Sequence, residues 1–208
     1  MDPYKLGRYI FRLAFRKLTD LPYDIRSRIS TGKFVSGYVD TERQIHSYEP
    51  TPYITLRAIA RHVDQHAGAC SRFIDVGCGL GRPLYFFASR FDELLGYELA
   101  EPLFRAGADQ LARAKRSNPV LRKISLLRSD ATSAIPLDRS MVLFLYNPFG
   151  PEPMARLCEH LKQSACEMHI YYTNPLHADV IEAALAPVSE RFSAFIEVAY
   201  FHVLAKTV

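Results

Sequence analysis

Arg72-Phe73-Ile74-Asp75-Val76-Gly77-Cys78-Gly79-Leu80-Gly81-Arg82 is the stretch on which the reading of this 208-residue chain turns. Phe73, Ile74 and Val76 form a short apolar run, and glycines follow at three alternate positions. Pro83 to Phe91 is then rich in Leu, Phe, Tyr and Ala without an internal breaker. The pattern predicts a strand, a tight turn and a helix in immediate succession. Glycine suits such a turn because the backbone takes angles that a side chain resists and because a ligand can approach the main chain.

Working outward, the chain alternates helix-like and strand-like segments. Leu94–Leu99, Lys123–Arg128, Met141–Tyr146 and Met168–Thr173 read as strands. Pro102–Arg116, Met154–Lys162 and Ala178–Ala186 read as helices. Thr51 and Pro52 are expected to cap a helix running through Leu56, Ile59, Ala60 and Val63. The tail from Phe192 to Lys206 is β-branched and aromatic with no helix in it. Such alternation implies an α/β, doubly wound, Rossmann-like fold whose sheet is mostly parallel, with an antiparallel edge strand near the C-terminus.

Composition narrows the class. Apolar residues make up 49% of the chain, enough for one well-buried domain. Met141 to Tyr146, the longest apolar run, is too short for a bilayer. Four cysteines (70, 78, 158, 166) show no C-x-x-C pairing and no nearby histidine at ligand spacing, so a disulfide scaffold and a zinc site are both poor readings and a cytoplasmic location is expected. Residues 1–30 carry Lys/Arg at 5, 8, 12, 16, 17, 26 and 28 against Asp at 2, 20 and 24. That difference of +4 equals the net charge of the whole chain. The remainder balances to zero, and nucleic acid is not a favoured partner. Residues 1–52 are therefore read as a basic N-terminal helix plus a lid segment (30–52), and 53–208 as the main domain.

In a doubly wound sheet the ligand lies across the carboxyl ends of the strands. The candidates are the polar groups found there. Asp75 and the turn Gly77, Gly79 and Gly81 end the first strand. Glu98 follows the second, 17 residues past Gly81, and could hold a ribose diol. Asp130 and Ala131 follow the third; the acid suits an exocyclic amine or a helix cap, and its small neighbour leaves room for a flat base. Asn147-Pro148-Phe149-Gly150 ends the fourth, exposing an amide oxygen and a carbonyl beside a ring, two acceptors that could orient an amine nucleophile. Tyr48 and Tyr53 are candidates for the aromatic mouth of the pocket, and His177 for a general base or a helix cap.

Asp75/Gly77/Gly79/Gly81, Glu98, Asp130-Ala131 and Asn147-Pro148-Phe149 together resemble class I S-adenosylmethionine-dependent methyltransferases. The resemblance covers roughly residues 50–208. Tyr48-Glu49-Pro50-Thr51-Pro52 and Asn147-Pro148-Phe149-Gly150 look most like small bacterial members of unassigned substrate, with a more distant similarity to protein-lysine methyltransferases. The resemblance implies S-adenosyl-L-methionine as cofactor, with Gly77 to Gly81 under its methionine portion, Glu98 on the ribose and Asp130 on the adenine amine. No metal is implied. The expected activity is methyl transfer to an amine nitrogen of a protein lysine or a small molecule, with an oxygen nucleophile as the less favoured alternative. Enzymes that methylate nucleobases carry a second proline before the aromatic residue, which is missing here. Two other readings stay open: a non-catalytic S-adenosylmethionine-binding sensor or partner subunit, and an NAD-dependent oxidoreductase. The latter is weakened because Arg82 stands where G-x-G-x-x-G needs glycine.

Overall fold

A computed structural model describes Asp20, Tyr23 and residues 29–31 and 48–206. The expected basic helix at the front of the chain and residues 32–47 of the expected lid lie outside the described residues.

The first described helix, α1 (Tyr53–His66), starts at Pro52, whose carbonyl accepts from Thr55 and Leu56 N–H. Thr51 makes no side-chain cap; it is buried. Then come β1 (Arg72–Val76), α2 (Arg82–Phe87), β2 (Glu93–Tyr97), α3 (Glu101–Ser117), β3 (Ile124–Leu127) and α4 (Ala131–Ala134). β4 (Met141–Tyr146), α5 (Pro151–Leu161), β5 (Met168–Thr173), α6 (Ala178–Leu185), β6 (Val188–Ala194) and β7 (Ile196–Val203) complete the chain. The strands form one seven-stranded sheet in the order β3-β2-β1-β4-β5-β7-β6. Neighbours from β3 to β5 are parallel, while β7 runs antiparallel to both β5 and β6.

The chain reverses its strand order at β1, which lies between β2 and β4. Such a switch opens a crevice at the carboxyl ends of the strands. β1, β4 and β5 are covered on both faces, which is why they read as continuous apolar runs rather than as alternation. On one face Phe73, Phe87 and Phe144 pack beneath α1 and α2, with Phe73–Phe87 ring centroids 4.7 Å apart. On the other Ile74, Leu143, Leu145, Ile170 and Tyr172 meet Met154, Leu157 and Ile181 of α5 and α6. Each such fully buried side chain contributes about 1.5–3 kcal/mol of transfer free energy. The central strands that carry the crevice are thereby held rigid from both sides.

α2 stops at Phe87 rather than at the expected Phe91: Arg90 N–H turns back to the Phe87 carbonyl (2.9 Å), and Phe91 reaches the core from the turn instead. The antiparallel edge expected near the C-terminus is present, and it is the outer strand of a hairpin. β7 takes the place next to β5, and β6 takes the edge.

Candidate active site

A cleft of about 480 Å³ lies across the carboxyl ends of β1 to β4. Its size falls within the range of small-molecule sites. Asp75, Gly77, Glu98, Asp130, Ala131, Asn147, Pro148 and Phe149 all line it, although they come from four separate strand ends.

The floor is the turn after β1. Gly77, Gly79 and Gly81 have φ of 71°, 53° and 77°, the left-handed region where a Cβ is disfavoured. At Gly77 a Cβ would also sit 2.7 Å from Pro148 Cβ, so the glycine turn and the Asn-Pro-Phe segment are packed backbone to ring. A Cβ on Gly79 would collide with the ring of Tyr48. Gly79 and Gly81 do not themselves line the cleft: Gly79 lies behind Tyr48, and Gly81 closes the turn through its N–H to the Cys78 carbonyl (2.7 Å).

Two carboxylates give the floor its electrostatics. Glu98 is buried and clasps the loop from below, accepting from Gly79 N–H and Ala100 N–H at 2.8 Å each. Each carboxylate oxygen keeps further lone pairs for a ligand. Asp75 is 2% exposed, and its Oδ2 is buried with no hydrogen-bond partner among the described residues. A buried acceptor of this kind is costly unless a donor or a cation meets it. Burial, and secondarily the charge of Glu98, pushes the Asp75 carboxyl well above its usual range. Burial raises Glu98 as well, partly offset by its backbone donors at Ala100, Gly79 and Leu99. The donor set therefore favours a ligand that brings hydroxyls to Glu98 and positive charge toward Asp75.

Asp130 takes the helix-cap part, capping α4 by accepting from Thr132 N–H (2.9 Å), and also faces the cleft next to Ala131. At the far wall Asn147 takes a left-handed φ of 39°, which asparagine tolerates better than most residues. Its Oδ1 accepts from the Tyr172 hydroxyl at 3.0 Å. Burial pushes the Tyr172 phenol up to about 12, so it stays a donor and orients the amide. A second lone pair on Oδ1 and the Pro148 carbonyl remain the acceptors that could meet an amine. Phe149 is nearly buried and forms apolar wall beside them.

The roof comes from the segment before α1. Tyr48, Glu49, Pro50 and Thr51 line the cleft, and the Tyr48 hydroxyl donates to the Thr31 carbonyl at 3.0 Å. Arg82 holds this roof down. The side chain is 1% exposed and donates to Asp20 Oδ2 (2.5 Å), the Thr51 carbonyl (3.0 Å) and Thr31 Oγ1 (2.8 Å). Tyr53, expected at the mouth, instead turns away from the cleft. It is buried between Tyr23 (4.6 Å, stacked) and the Arg82 guanidinium (4.6 Å), because α1 has to pack its first turn on the domain. His177 does not line the cleft either; it sits before α6 with its N–H near the Tyr172 hydroxyl.

Arg82 and Tyr172 are therefore site residues that sequence reasoning passed over. Arg82 stands out in sequence only as a missing glycine, and its partners lie 31 to 62 positions away. Tyr172 had one usable signal: it is the penultimate residue of a strand that pairs with the strand leading to Asn147.

No family profile and no curated relative matches the chain by sequence. Solved structures do match in fold. A magnesium protoporphyrin IX methyltransferase from Synechocystis, solved with bound S-adenosylmethionine, aligns with TM-score 0.56 at 11% identity over 82% of this chain and 92% of its own. An S-adenosylmethionine-dependent methyltransferase from Aquifex aeolicus aligns with TM-score 0.53 at 12% identity over 83% and 100%. The methyltransferase domain of bacterial CtHen1 aligns with TM-score 0.52 at 13% identity over 71% and 96%. The chain thus shares the class I methyltransferase fold.

Proposed function

We propose that the chain is an S-adenosylmethionine-dependent methyltransferase acting on an amine nitrogen, of a protein lysine or of a small molecule. The observation that carries this reading is the convergence in one cleft of Asp75, Gly77, Glu98, Asp130-Ala131 and Asn147-Pro148-Phe149. Asp75 Oδ2, without a hydrogen-bond partner among the described residues, and the Gly77 backbone lining the cleft fit a cationic nucleoside. The fold shared with methyltransferases agrees with it.

When bound, S-adenosylmethionine supplies a methyl group activated by its sulfonium, so little acid–base chemistry is asked of the protein. Of the glycine turn, Gly77 would present its backbone to the methionine portion. Glu98 would accept from the ribose hydroxyls and Asp130 from the adenine amine, and Ala131 would leave space for the ring. Asn147 Oδ1 and the Pro148 carbonyl accept N–H bonds of the amine and so turn its lone pair toward the cofactor, a matter of alignment more than of bond making. Phe149, with Tyr48 and the rest of the roof, excludes water.

Calorimetry with S-adenosylmethionine, S-adenosylhomocysteine and NAD tests the cofactor, with the first two expected to bind and NAD not. Transfer of radiolabelled methyl to fractionated lysate then separates an enzyme from a sensor. Asn147→Ala should lower the transfer rate by about 10²–10³-fold, as loss of one positioning group does, with cofactor affinity unchanged. Full transfer in that variant removes Asn147 from the mechanism.

A further inference from the structure

On the antiparallel side of the sheet, away from the cleft, His169 and His202 are direct cross-strand partners on β5 and β7. Their rings stack 4.5 Å apart at 10°. Both present Nε2 to one oxygen of Glu167, at 3.5 Å from His169 and 2.6 Å from His202. The nitrogen, nitrogen and carboxylate ligand atoms lie within 4.8 Å of one another. Behind them the Tyr200 hydroxyl meets His169 Nδ1 at 2.7 Å. With Nδ1–H donating to that oxygen, His169 Nε2 offers its lone pair toward Glu167. Metal-bound histidines are commonly fixed by such a bond on the far ring nitrogen.

From these contacts we infer that Glu167, His169 and His202 form a binding site for a divalent transition-metal ion, best matched by Zn²⁺. Two imidazoles and one carboxylate are a recurrent zinc donor set, and such sets leave a fourth position for water or an outside donor. The asymmetry of exposure fits that arrangement. His169 is 2% exposed, whereas His202 and Glu167 side chains are 25% and 36% exposed and form the open side. Strand pairing already sets the two imidazoles side by side, so binding needs ångström-scale adjustment of Glu167 and His202 rather than refolding. The site lies at the amino end of β5. His169 is four residues from Thr173 at the carboxyl end, or roughly 13 Å at 3.3 Å per residue, so the ion would not touch the methyl-transfer cleft. It would instead fasten β7 to β5.

The test uses the full chain stripped of metal, in a Cys166→Ser background that removes the most accessible thiol near Glu167. Zn²⁺ is titrated calorimetrically, and Co²⁺ is followed by its visible absorption. One equivalent should bind, and Zn²⁺ should raise the melting temperature. Glu167→Gln and His202→Ala, both at the open side, should abolish binding. Tyr200→Phe, which keeps the ring, should weaken it about 10–100-fold. His177→Ala, outside the cluster, should change nothing. Absence of binding in the Cys166→Ser chain, or binding that survives in the Glu167→Gln/His202→Ala double variant, overturns the proposal and leaves the three groups a proton-sharing ion pair.

Discussion

Glu98→Gln is the most informative single change, because the side chain is expected to hold both the protein and the ligand. The two carboxylate oxygens accept from Gly79 N–H and Ala100 N–H. Glutamine has one oxygen, so its NH₂ must face one of those N–H groups whichever way the amide is turned. A stranded buried donor costs about 1–3 kcal/mol. Relief of the repulsion between Asp75 and Glu98 offsets part of this. For a domain of this length the net loss corresponds to a fall in Tm of roughly 2–10 °C. Binding is affected separately. Two ribose hydroxyls donating to a carboxylate gain about 1.5–3 kcal/mol each, against about 0.5–1.5 for a neutral acceptor. The difference, about 2–3 kcal/mol in all, is a loss of roughly 30- to 150-fold in affinity. Calorimetry with S-adenosylhomocysteine, alongside thermal melts, separates the two effects. A folded variant whose Kd stays within about threefold of the parent's would refute the assignment of Glu98 to the ribose.

Arg82→Met should leave Asp20 buried without its cation and destabilise the chain by about 3–5 kcal/mol, while adding Asp20→Leu should recover much of the loss in a melt. A single variant as stable as the parent contradicts the role given to Arg82. Gly77→Ala combines a left-handed φ with a Cβ 2.7 Å from Pro148, and strain plus overpacking come to roughly 2–4 kcal/mol by denaturant titration. Asp75 and Glu98 have raised folded-state pKa values, so the folded chain keeps protons that the unfolded chain has already released. Stability without cofactor should then fall as pH rises from about 4 through the folded values. Ribose donors and a cationic ligand favour the ionised forms, so binding should release protons, seen as a dependence of the calorimetric heat on the buffer's ionisation enthalpy. Identical heats after buffer correction would remove that linkage.

How legible these features are in sequence follows from where their causes lie. β4 and β5 could be read to the residue, because strands buried on both faces leave unbroken apolar runs bounded by polar ends. The Gly77–Gly81 turn was equally plain. α2 was overextended because Ala88 and Phe91 are apolar for burial and not for helix. The β6–β7 hairpin is hidden because its bend, Phe195 at φ 70°, uses no glycine, proline or asparagine, and because Ser189, Glu190 and Arg191 on the edge strand lack the apolar run of a buried strand. Tyr48 and Tyr53 are the same residue type five positions apart, yet one covers the glycine turn and the other is packed under Arg82. Only the fold decides between such fates, as it does for the long-range partners of Arg82.

The order of the last two strands also bears on how the sheet is completed. Among the described residues β6 hydrogen-bonds to β7 and to no other strand, yet it leaves the ribosome first. Until residues 196–203 emerge it has no partner, and the open flank of β5 stays uncovered. Translation arrest or truncation between these strands would thus leave an unpaired, aggregation-prone flank on an otherwise finished sheet, whereas the cleft at the ends of β1 to β4 would already have all of its strands.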